Sequence, residues 1–283
     1  TFMWPASFWE KYEYFIRHSA GLGKSPKEKD PDVYDHKYIY CDVLVVGAGI
    51  SGILAAKNAA KNNLKTLLVD EKNEIGGATI YQNREFNKIE AQSSSDWLKK
   101  EIQELKNVKN LEVKVRTSVA AYHGYNYLLA RENLTDHLEK KDKQGKIRQR
   151  LLKIRAKKVI LATGALERPL IFNNNDRPGI MLSSAVNKYA DFYGVVCGQK
   201  TVFFTNNDSA YESAFCLHNK GIKVEAIIDI RDNSNSKIVK AVKDAGIKIH
   251  WSHTVVDTSG YKRLRNISVM KLSNDGISVT GNR

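Results

Sequence analysis

The spacing of apolar positions changes several times along this chain, and each change marks an element. Phe8, Tyr12 and Phe15 recur at helical spacing with Trp9 and Ile16 beside them, and Pro5 suits a first helical turn, so a helix is predicted over residues 5–18. Its aromatic face has two readings, packing on its own domain or docking of another subunit. "GLGKSPKEKDPDVYDHKY", punctuated by Gly and Pro, reads as a polar linker. From Cys41 the pattern becomes that of a β-α-β unit: the apolar run "DVLVV" ends in glycines, "ISGILAAKNAAKNN" has helix-former content, and "KTLLVDE" is a second strand. "SSSDWLKKEIQEL" opens on capping residues and runs as a helix. "LEVKVRTSVAAYHG" and "YNYLLARENL" read as strands, followed by a charged turn around Gly145 and a strand into "VILATG".

A second alternation follows. "LSSAVNKYADFYG" predicts a helix ending at Gly194. "KTVFFT", "DSAYESAFCLHNKG" and "KVEAIIDIRD" form another β-α-β unit. "SKIVKAVKDAG" predicts a helix, and "IKIHWSHTVVDT" and "NISVMKLSNDGISVTG" predict hairpin strands. The expected fold class is therefore α/β, with two tandem Rossmann-like units, the second inserted in the first after "ATG", and an N-terminal helix. The expected partition is a helix and linker over 1–40, a first dinucleotide-binding domain over 41–165, and a second Rossmann-like unit over 166–283. The 283 residues allow one large domain or two smaller ones. The chain opens at Thr1 and stops just after a strand-like run, and is read as a piece of a longer polypeptide.

Charge and cysteine usage narrow the function classes. Forty-five basic residues against 31 acidic give a net charge of +14. The lysines are spread along the whole chain and no basic cluster coincides with a nucleic-acid motif, so a solvated Lys-rich surface or an electronegative partner subunit is expected rather than nucleic acid. Cys41, Cys197 and Cys216 lie far apart, with no C-x-x-C, which argues against a redox dithiol or zinc ribbon and fits a reducing compartment, the cytoplasm. The seven histidines show no metal spacing, so no metal is expected. His250 and His253, three apart on a strand, should point to opposite faces. The longest apolar stretch is broken by glycines and too short to span a bilayer, and no signal peptide is visible.

The strongest chemical signal is G-x-G-x-x-G at Gly47, Gly49 and Gly52, after a strand and at a helix start. Gly47 permits the tight turn, Gly49 lets backbone approach a pyrophosphate, and Gly52 lets helix close on strand. The helix N-terminus offers unpaired N–H groups and a positive dipole end to a diphosphate. Asp70 and Glu71, 23 and 24 residues after Gly47, end the next strand. A carboxylate there accepts hydrogen bonds from an adenosine ribose and repels a 2′-phosphate. The motif does not separate FAD from NAD, because both carry the same ADP moiety. With Gly76-Gly77 beyond and "ATG" later, the pattern resembles the two-dinucleotide flavoproteins of the disulfide-reductase type. In that class a segment like Thr163-Gly164 passes close to the dinucleotide; a plain buried strand and turn is the other reading. Arg168 and Arg177, each before a proline, are read as anion ligands or structural clamps. The second unit has Asn206-Asn207-Asp208 where glycines belong. A side chain at the point of closest approach blocks a pyrophosphate, while Asp208 as an N-cap favours the helix. The second unit is expected to bind no nucleotide.

Blocks such as "TFMWPASFWEKYE", "IRHSAGLGKSP", "CDVLVVGAGISG", "RTSVAAYHGYN", "LATGALERPLIFNNNDRPGIMLSSA" and "FFTNNDSAY" are far more specific than the glycine motif. Across its whole length the chain resembles the alpha subunit of heterotetrameric sarcosine oxidase, which is much longer. The resemblance implies oxidative demethylation of sarcosine to glycine with hydrogen peroxide formation, the one-carbon unit leaving as methylenetetrahydrofolate. It implies beta, gamma and delta partner subunits, sarcosine oxidation at FAD in the beta subunit, FMN at the alpha–beta boundary, and zinc in the delta subunit. It further implies NAD in the first nucleotide site, without an evident redox role. By position, Ser51, the run Asp70-Glu71-Lys72, Thr79 after Gly77, and Val119 should contact that NAD. Where many family members carry Tyr-Tyr-Asp, this chain has Tyr122-His123-Gly124. Two other readings stand beside it. One is an FAD-dependent amine, opine-type or disulfide-reductase-like subunit with FAD in the same site. The other is a non-catalytic module docking through the Trp4/Phe8/Trp9 helix.

Overall fold

The run Asp42–Val46 is apolar almost throughout because the strand that holds it is covered on both faces. In the computed structural model, which describes residues 4–23, 28–81 and 88–280, this strand is β1 (Val33–Val46). On one face Leu44 packs with Leu67, Leu128, Leu152 and Ile154; on the other Val43 and Val45 pack with Ala56 and Leu68. The remaining residues, which include part of the expected linker, lie outside the description.

A 3₁₀ turn at Ala6–Phe8 leads into α1 (Trp9–Ser19). Then come β1, α2 (Ile50–Lys61), β2 (Thr66–Val69), α3 (Ser94–Leu105), β3 (Leu111–Lys114), β4 (Thr117–His123), β5 (Tyr127–Asn133), a single turn α4 (Lys140–Lys143) and β6 (Ile147–Leu161). The second half holds α5 (Ser183–Asp191), β7 (Lys200–Thr205), α6 (Ser209–Asn219), β8 (Lys223–Asp229), α7 (Lys237–Asp244), β9 (Ile249–Trp251), β10 (His253–Ser259), β11 (Asn266–Leu272) and β12 (Val279–Thr280). A six-stranded sheet has the order β3-β2-β1-β6-β5-β4, and two three-stranded sheets have the orders β7-β8-β9 and β10-β11-β12. Strands β1, β2 and β3 pair in parallel, as do β7, β8 and β9; β4–β5, β10–β11 and β11–β12 are antiparallel.

By contacts the chain divides into two compact units, residues 1–36 with 133–150 and residues 37–132 with 151–283. In the first, Arg148 pairs with Asp32 and Asp136, and Arg150 grips Asp35 with two hydrogen bonds. Those contacts explain a departure from the sequence reading: residues 33–40, expected as linker, are strand. Their alternation leaves Tyr38 and Tyr40 exposed and Ile39 and Cys41 buried. No residue of α1 is buried, and Trp9 and Phe15 are exposed.

The second unit carries both β-α-β arrangements. Alternate burial along α3 sets Trp97, Leu98 and Leu105 against Ile53 of α2. Ser93 caps α3 by accepting from the Asp96 N–H at 3.1 Å. Lys57 of α2 crosses to Glu101 (2.7 Å) and Glu104 (2.6 Å). Burial works against the Lys57 ammonium, but the two carboxylates outweigh it and hold its pKa above the usual lysine value. In the later sheet, Tyr211, Leu217, Ile227, Val239 and Val242 form a separate core.

Glu101 is 3% exposed, so removing its partner strands a buried charge. Lys57→Met is expected to cost about 3–5 kcal/mol in chemical denaturation. The double change Lys57→Met/Glu101→Leu is expected to be milder than the single one. A double-variant loss equal to the sum of the separate Lys57→Met and Glu101→Leu losses would show that the pair carries no coupling.

Candidate functional site

The geometry at the end of β1 follows from three backbones meeting without room for side chains. Gly47 has φ +102°, and a Cβ there would lie 2.3 Å from the carbonyl oxygen of Ala162. A Cβ on Gly52, in the first turn of α2, would lie 1.8 Å from the carbonyl oxygen of Gly47. Gly49 differs. Its φ of −76° suits any residue, and a Cβ on it would meet nothing within 4 Å. Among the described residues, no protein atom requires glycine at 49; the open space in front of it does what a bound group's backbone contact would need. Gly49 is also the N-cap of α2 and carries no capping side chain, so the first N–H groups of the helix remain available to an acceptor.

A second glycine turn closes one side. Gly76 (φ +132°) donates its N–H to the Ala48 carbonyl at 2.8 Å, and a Cβ on Gly77 (φ +58°) would come within 2.9 Å of the Gly49 Cα. Thr79 is buried in the 3₁₀ turn Gly77–Ile80 that follows. Beside it opens a cleft of about 770 Å³, lined in part by Leu98 and Ile102 and by Asp191 and Lys220, which are paired at 2.8 Å.

Asp70 ends β2 with its carboxylate turned inward. Oδ2 accepts from the Ala48 N–H at 2.6 Å and Oδ1 from the Lys72 N–H at 2.8 Å. The carboxylate thus spans from the acidic edge to the glycine loop, a role the sequence did not suggest. Glu71, next to it, is exposed, and Lys72 lies 5.3 Å from the centre of the Tyr81 ring. Of the other sequence candidates, Ser51 is exposed in the first turn of α2, and Val119 is half-buried on β4. Thr163 and Gly164 are exposed just past β6, next to the Ala162 backbone that crowds Gly47. The glycine loop, Gly76-Gly77, Asp70 and the Ala162–Thr163 backbone therefore converge; Val119 lies on β4, whose first residue, Thr117, donates its N–H to the Asp70 carbonyl at 2.7 Å.

The segment after "ATG" holds a contact that sequence spacing hid. Glu167 accepts from the Ser183 N–H (3.1 Å), the Ser183 hydroxyl (2.9 Å) and the Ser184 N–H (2.8 Å), capping α5 from sixteen residues away. Burial raises its carboxyl pKa, but these donors prevail and hold it below the usual value. The signal available was Leu182 at the N-cap position, a residue with no capping side chain. Arg177 is a clamp: it donates to the Thr258 hydroxyl and to the Gly260 carbonyl. Arg168 is exposed.

The second strand–turn–helix is closed by its own side chains. Asn207 Oδ1 accepts from the Ser209 N–H at 3.0 Å and the Ser209 hydroxyl at 2.7 Å. Asp208 makes no capping hydrogen bond, contrary to the sequence expectation; it pairs instead with Arg231 at 2.8 Å. Arg231 also pairs with the fully buried Asp229 at 2.7 Å, which accepts from the Tyr211 hydroxyl at 2.7 Å. Burial and the Asp229 carboxylate push the Tyr211 pKa up. Burial also raises Asp208, but Ser236 and Arg231 outweigh it and the carboxyl stays below its usual value.

His250 and His253 correct another expectation. Their rings lie 5.6 Å apart rather than on opposite faces, because the chain turns at Ser252 (φ +54°) between β9 and β10. Among the described residues no cluster of His, Cys, Asp or Glu could hold a metal, and no helix is long and apolar enough to cross a membrane. Among the described residues Cys41, Cys197 and Cys216 form no disulfide; the Cys216 thiol donates to Asp191 Oδ2 at 3.5 Å, and burial pushes Cys41 up to about 11.

A parallel sheet with a bare glycine turn, a helix N-terminus and a carboxylate edge defines a dinucleotide-binding α/β protein, and this fold implies binding of a flavin, a nicotinamide dinucleotide, or both. Residues 41–280 match the family model for pyridine nucleotide-disulphide oxidoreductase, and the chain belongs to that family. It is similar to sarcosine oxidase subunit alpha of Rhizobium meliloti (strain 1021), 40% identical over 82% of this chain and 23% of the relative. It is also similar to sarcosine oxidase subunit alpha of Corynebacterium sp. (strain P-1), 38% identical over 90% of this chain and 26% of the relative. The chain thus spans about a quarter of the length of these curated relatives. Among solved structures, Lactococcus lactis thioredoxin reductase shares the fold with a TM-score of 0.59 at 20% identity, covering 85% of this chain and 73% of that one. L-proline dehydrogenase from P. horikoshii shares it with a TM-score of 0.56 at 20% identity, over 85% of this chain and 40% of that one.

Two outcomes follow for stability. Gly52→Ala is expected to lose about 3 kcal/mol or more, whereas Gly49→Ala changes stability by less than about 1 kcal/mol; thermal melts of the two variants check the contrast. Asp208, with its folded pKa below the ordinary 3.8, contributes stability that is whole above that value and lost as pH falls through the folded pKa. The stability gap between the protein and Asp208→Asn is therefore expected to be widest near neutral pH and to close in acid.

Proposed function

We propose that this chain is the NAD-carrying portion of a sarcosine oxidase alpha subunit. The observation that carries the reading is the open face of Gly49 between the start of α2 and the Gly76-Gly77 turn, in a chain 38–40% identical to subunits of that name. In this reading the N–H groups at Gly49, Ser51 and Gly52 hold the diphosphate, and Gly47 makes the turn that aims them. Glu71 and the outer lone pairs of Asp70 take the adenosine ribose, while Lys72 and Val119 flank the adenosine. Gly77, Thr79, Thr163 and Gly164 line the approach. A nicotinamide or flavin bound there would bring a group capable of two-electron chemistry, although the oxidation itself would lie mainly in the partner subunit; the chain's own residues bind and orient it. FAD in the same site is the alternative, since the cradle meets only the shared ADP portion.

The whole assembly would convert sarcosine, tetrahydrofolate and oxygen to glycine, methylenetetrahydrofolate and hydrogen peroxide. The oxidation would proceed mainly in a beta subunit, with gamma and delta subunits completing the complex and FMN at the alpha–beta boundary. The cytoplasm is its compartment in this reading. The second Rossmann-like unit holds no nucleotide, because Asn207 and the Asp208–Arg231 pair already satisfy the groups a diphosphate would use.

Acid extraction followed by absorbance and mass measurement tests the cofactor: an NAD mass without blue absorbance is expected, and a flavin spectrum would move the assignment to FAD. Gly49→Val places a branched side chain where only open space now lies and is expected to cut dinucleotide retention by at least about tenfold. Undiminished retention would remove the cradle from the account. Titration with NADH is expected to leave the amide resonances of Asn206–Ser209 unmoved; shifts confined to them would restore a second site.

A further inference from the structure

The turn between β4 and β5 holds an aromatic side chain in a costly place. Tyr125 and Asn126 both have positive φ, 58° and 52°, a region L residues enter only when their surroundings hold them there. Three hydrogen bonds do so. Arg155 Nη1 donates to the Tyr125 carbonyl (3.0 Å), the Tyr122 hydroxyl donates to Asn126 Oδ1 (2.7 Å), and the Asn126 amide donates to the Lys157 carbonyl (3.0 Å). Yet the side chain this turn displays, Tyr125, is 94% exposed. The fold gains no burial from it.

The neighbouring sheet face is basic and ordered. Lys153, Arg155 and Lys157 alternate along β6, while Leu152, Ile154 and Ala156 between them are buried on the opposite side. Lys153 lies 4.9 Å from the centre of the Tyr38 ring and Arg155 lies 5.0 Å from that of Tyr127. Lys157 pairs with Asp42 at 2.7 Å; among the described residues, Lys153 and Arg155 have no carboxylate partner. Rigid tyrosine and arginine projecting from a sheet are what the centre of a protein interface uses, at low cost in side-chain entropy.

We propose that this face is the docking surface for an acidic protein subunit, with Tyr125 as its anchor and Lys153 and Arg155 meeting the partner's carboxylates. Charge selects the occupant. A second copy would bring the same cations against these and be repelled, in a chain of net charge +14. Successive stacked bases need several bare rings, and of Tyr38, Tyr125 and Tyr127 only Tyr125 is without one of the chain's own cations over it. The inference rests on the reading of the chain as one subunit of a hetero-oligomer but not on which dinucleotide it carries.

The test uses the full-length chain co-expressed with beta, gamma and delta subunits from the same organism. Tyr125→Ala and Lys153→Glu, neither of which removes a bond of the turn, are each expected to weaken the complex by about tenfold or more. The Lys153→Glu loss should be larger at low salt than at high salt, and nucleotide content and melting temperature should not change. Complexes of undiminished affinity in both variants overturn the proposal. So does failure of the unmodified chain to form any complex, or binding of oligothymidylate that is lost in both variants while the subunit complex persists. Loss of nucleotide from an intact complex would instead count against the cofactor reading alone.

Discussion

Three backbones cross at the end of β1 with no space for a methyl group between them. Ala162 crowds Gly47, and Gly47 crowds the first turn of α2 at Gly52. This crossing fixes how α2 leaves the sheet, and so where its unpaired N–H groups point. The Ala48 N–H is then drawn to Asp70 and the Ala48 carbonyl to Gly76, which ties the acidic edge and the second glycine turn to the same loop. A side chain at 47 or 52 would separate these parts. The cleared space at Gly49 is a consequence of that arrangement rather than an independent feature.

The inward turn of Asp70 changes what the acidic edge can do. A carboxylate that accepts two backbone N–H bonds still has lone pairs left for a ribose hydroxyl, but its position is set by the loop, not by the ligand. Preorganisation of this kind lowers the ordering cost of binding. Adjacent residues differ in this respect: Asp70 holds the loop by two backbone N–H bonds, while Glu71 is exposed.

Much of the fold was legible because its signals are local. The parallel core strands read as unbroken apolar runs, α3 announced itself with Ser93, and the glycine spacing located the tight turn at the end of β1. What escaped notice depends on contacts distant in sequence. Residues 33–40 look polar and punctuated, yet they are strand because Arg148 and Arg150 reach back to Asp32 and Asp35. Glu167 caps a helix sixteen residues ahead. The two histidines meet because one serine adopts positive φ, which no periodicity reveals. In the site, the glycines were plain from spacing, but the hydrogen bonds of Asp70 were not, because nothing along the chain says which way a carboxylate at a strand end will turn.

The two strand–turn–helix units treat the start of their helices in opposite ways. In the first, helix N–H groups are left without side-chain acceptors and glycine keeps the approach open. In the second, Asn207 accepts the Ser209 N–H, and Arg231 neutralises Asp208 while reaching the buried Asp229. Breaking into that network would leave Asp229 without its counter-charge, which costs far more than a surface pair yields. A ligand entering there would have to replace both the cap and the arginine before gaining anything. The parallel sheet, its helices and its core need none of this reversed, since their stability comes from Tyr211, Leu217, Ile227 and Val242 packed beneath. Burial preserves the fold, and the polar residues at the strand ends decide whether it is also a site.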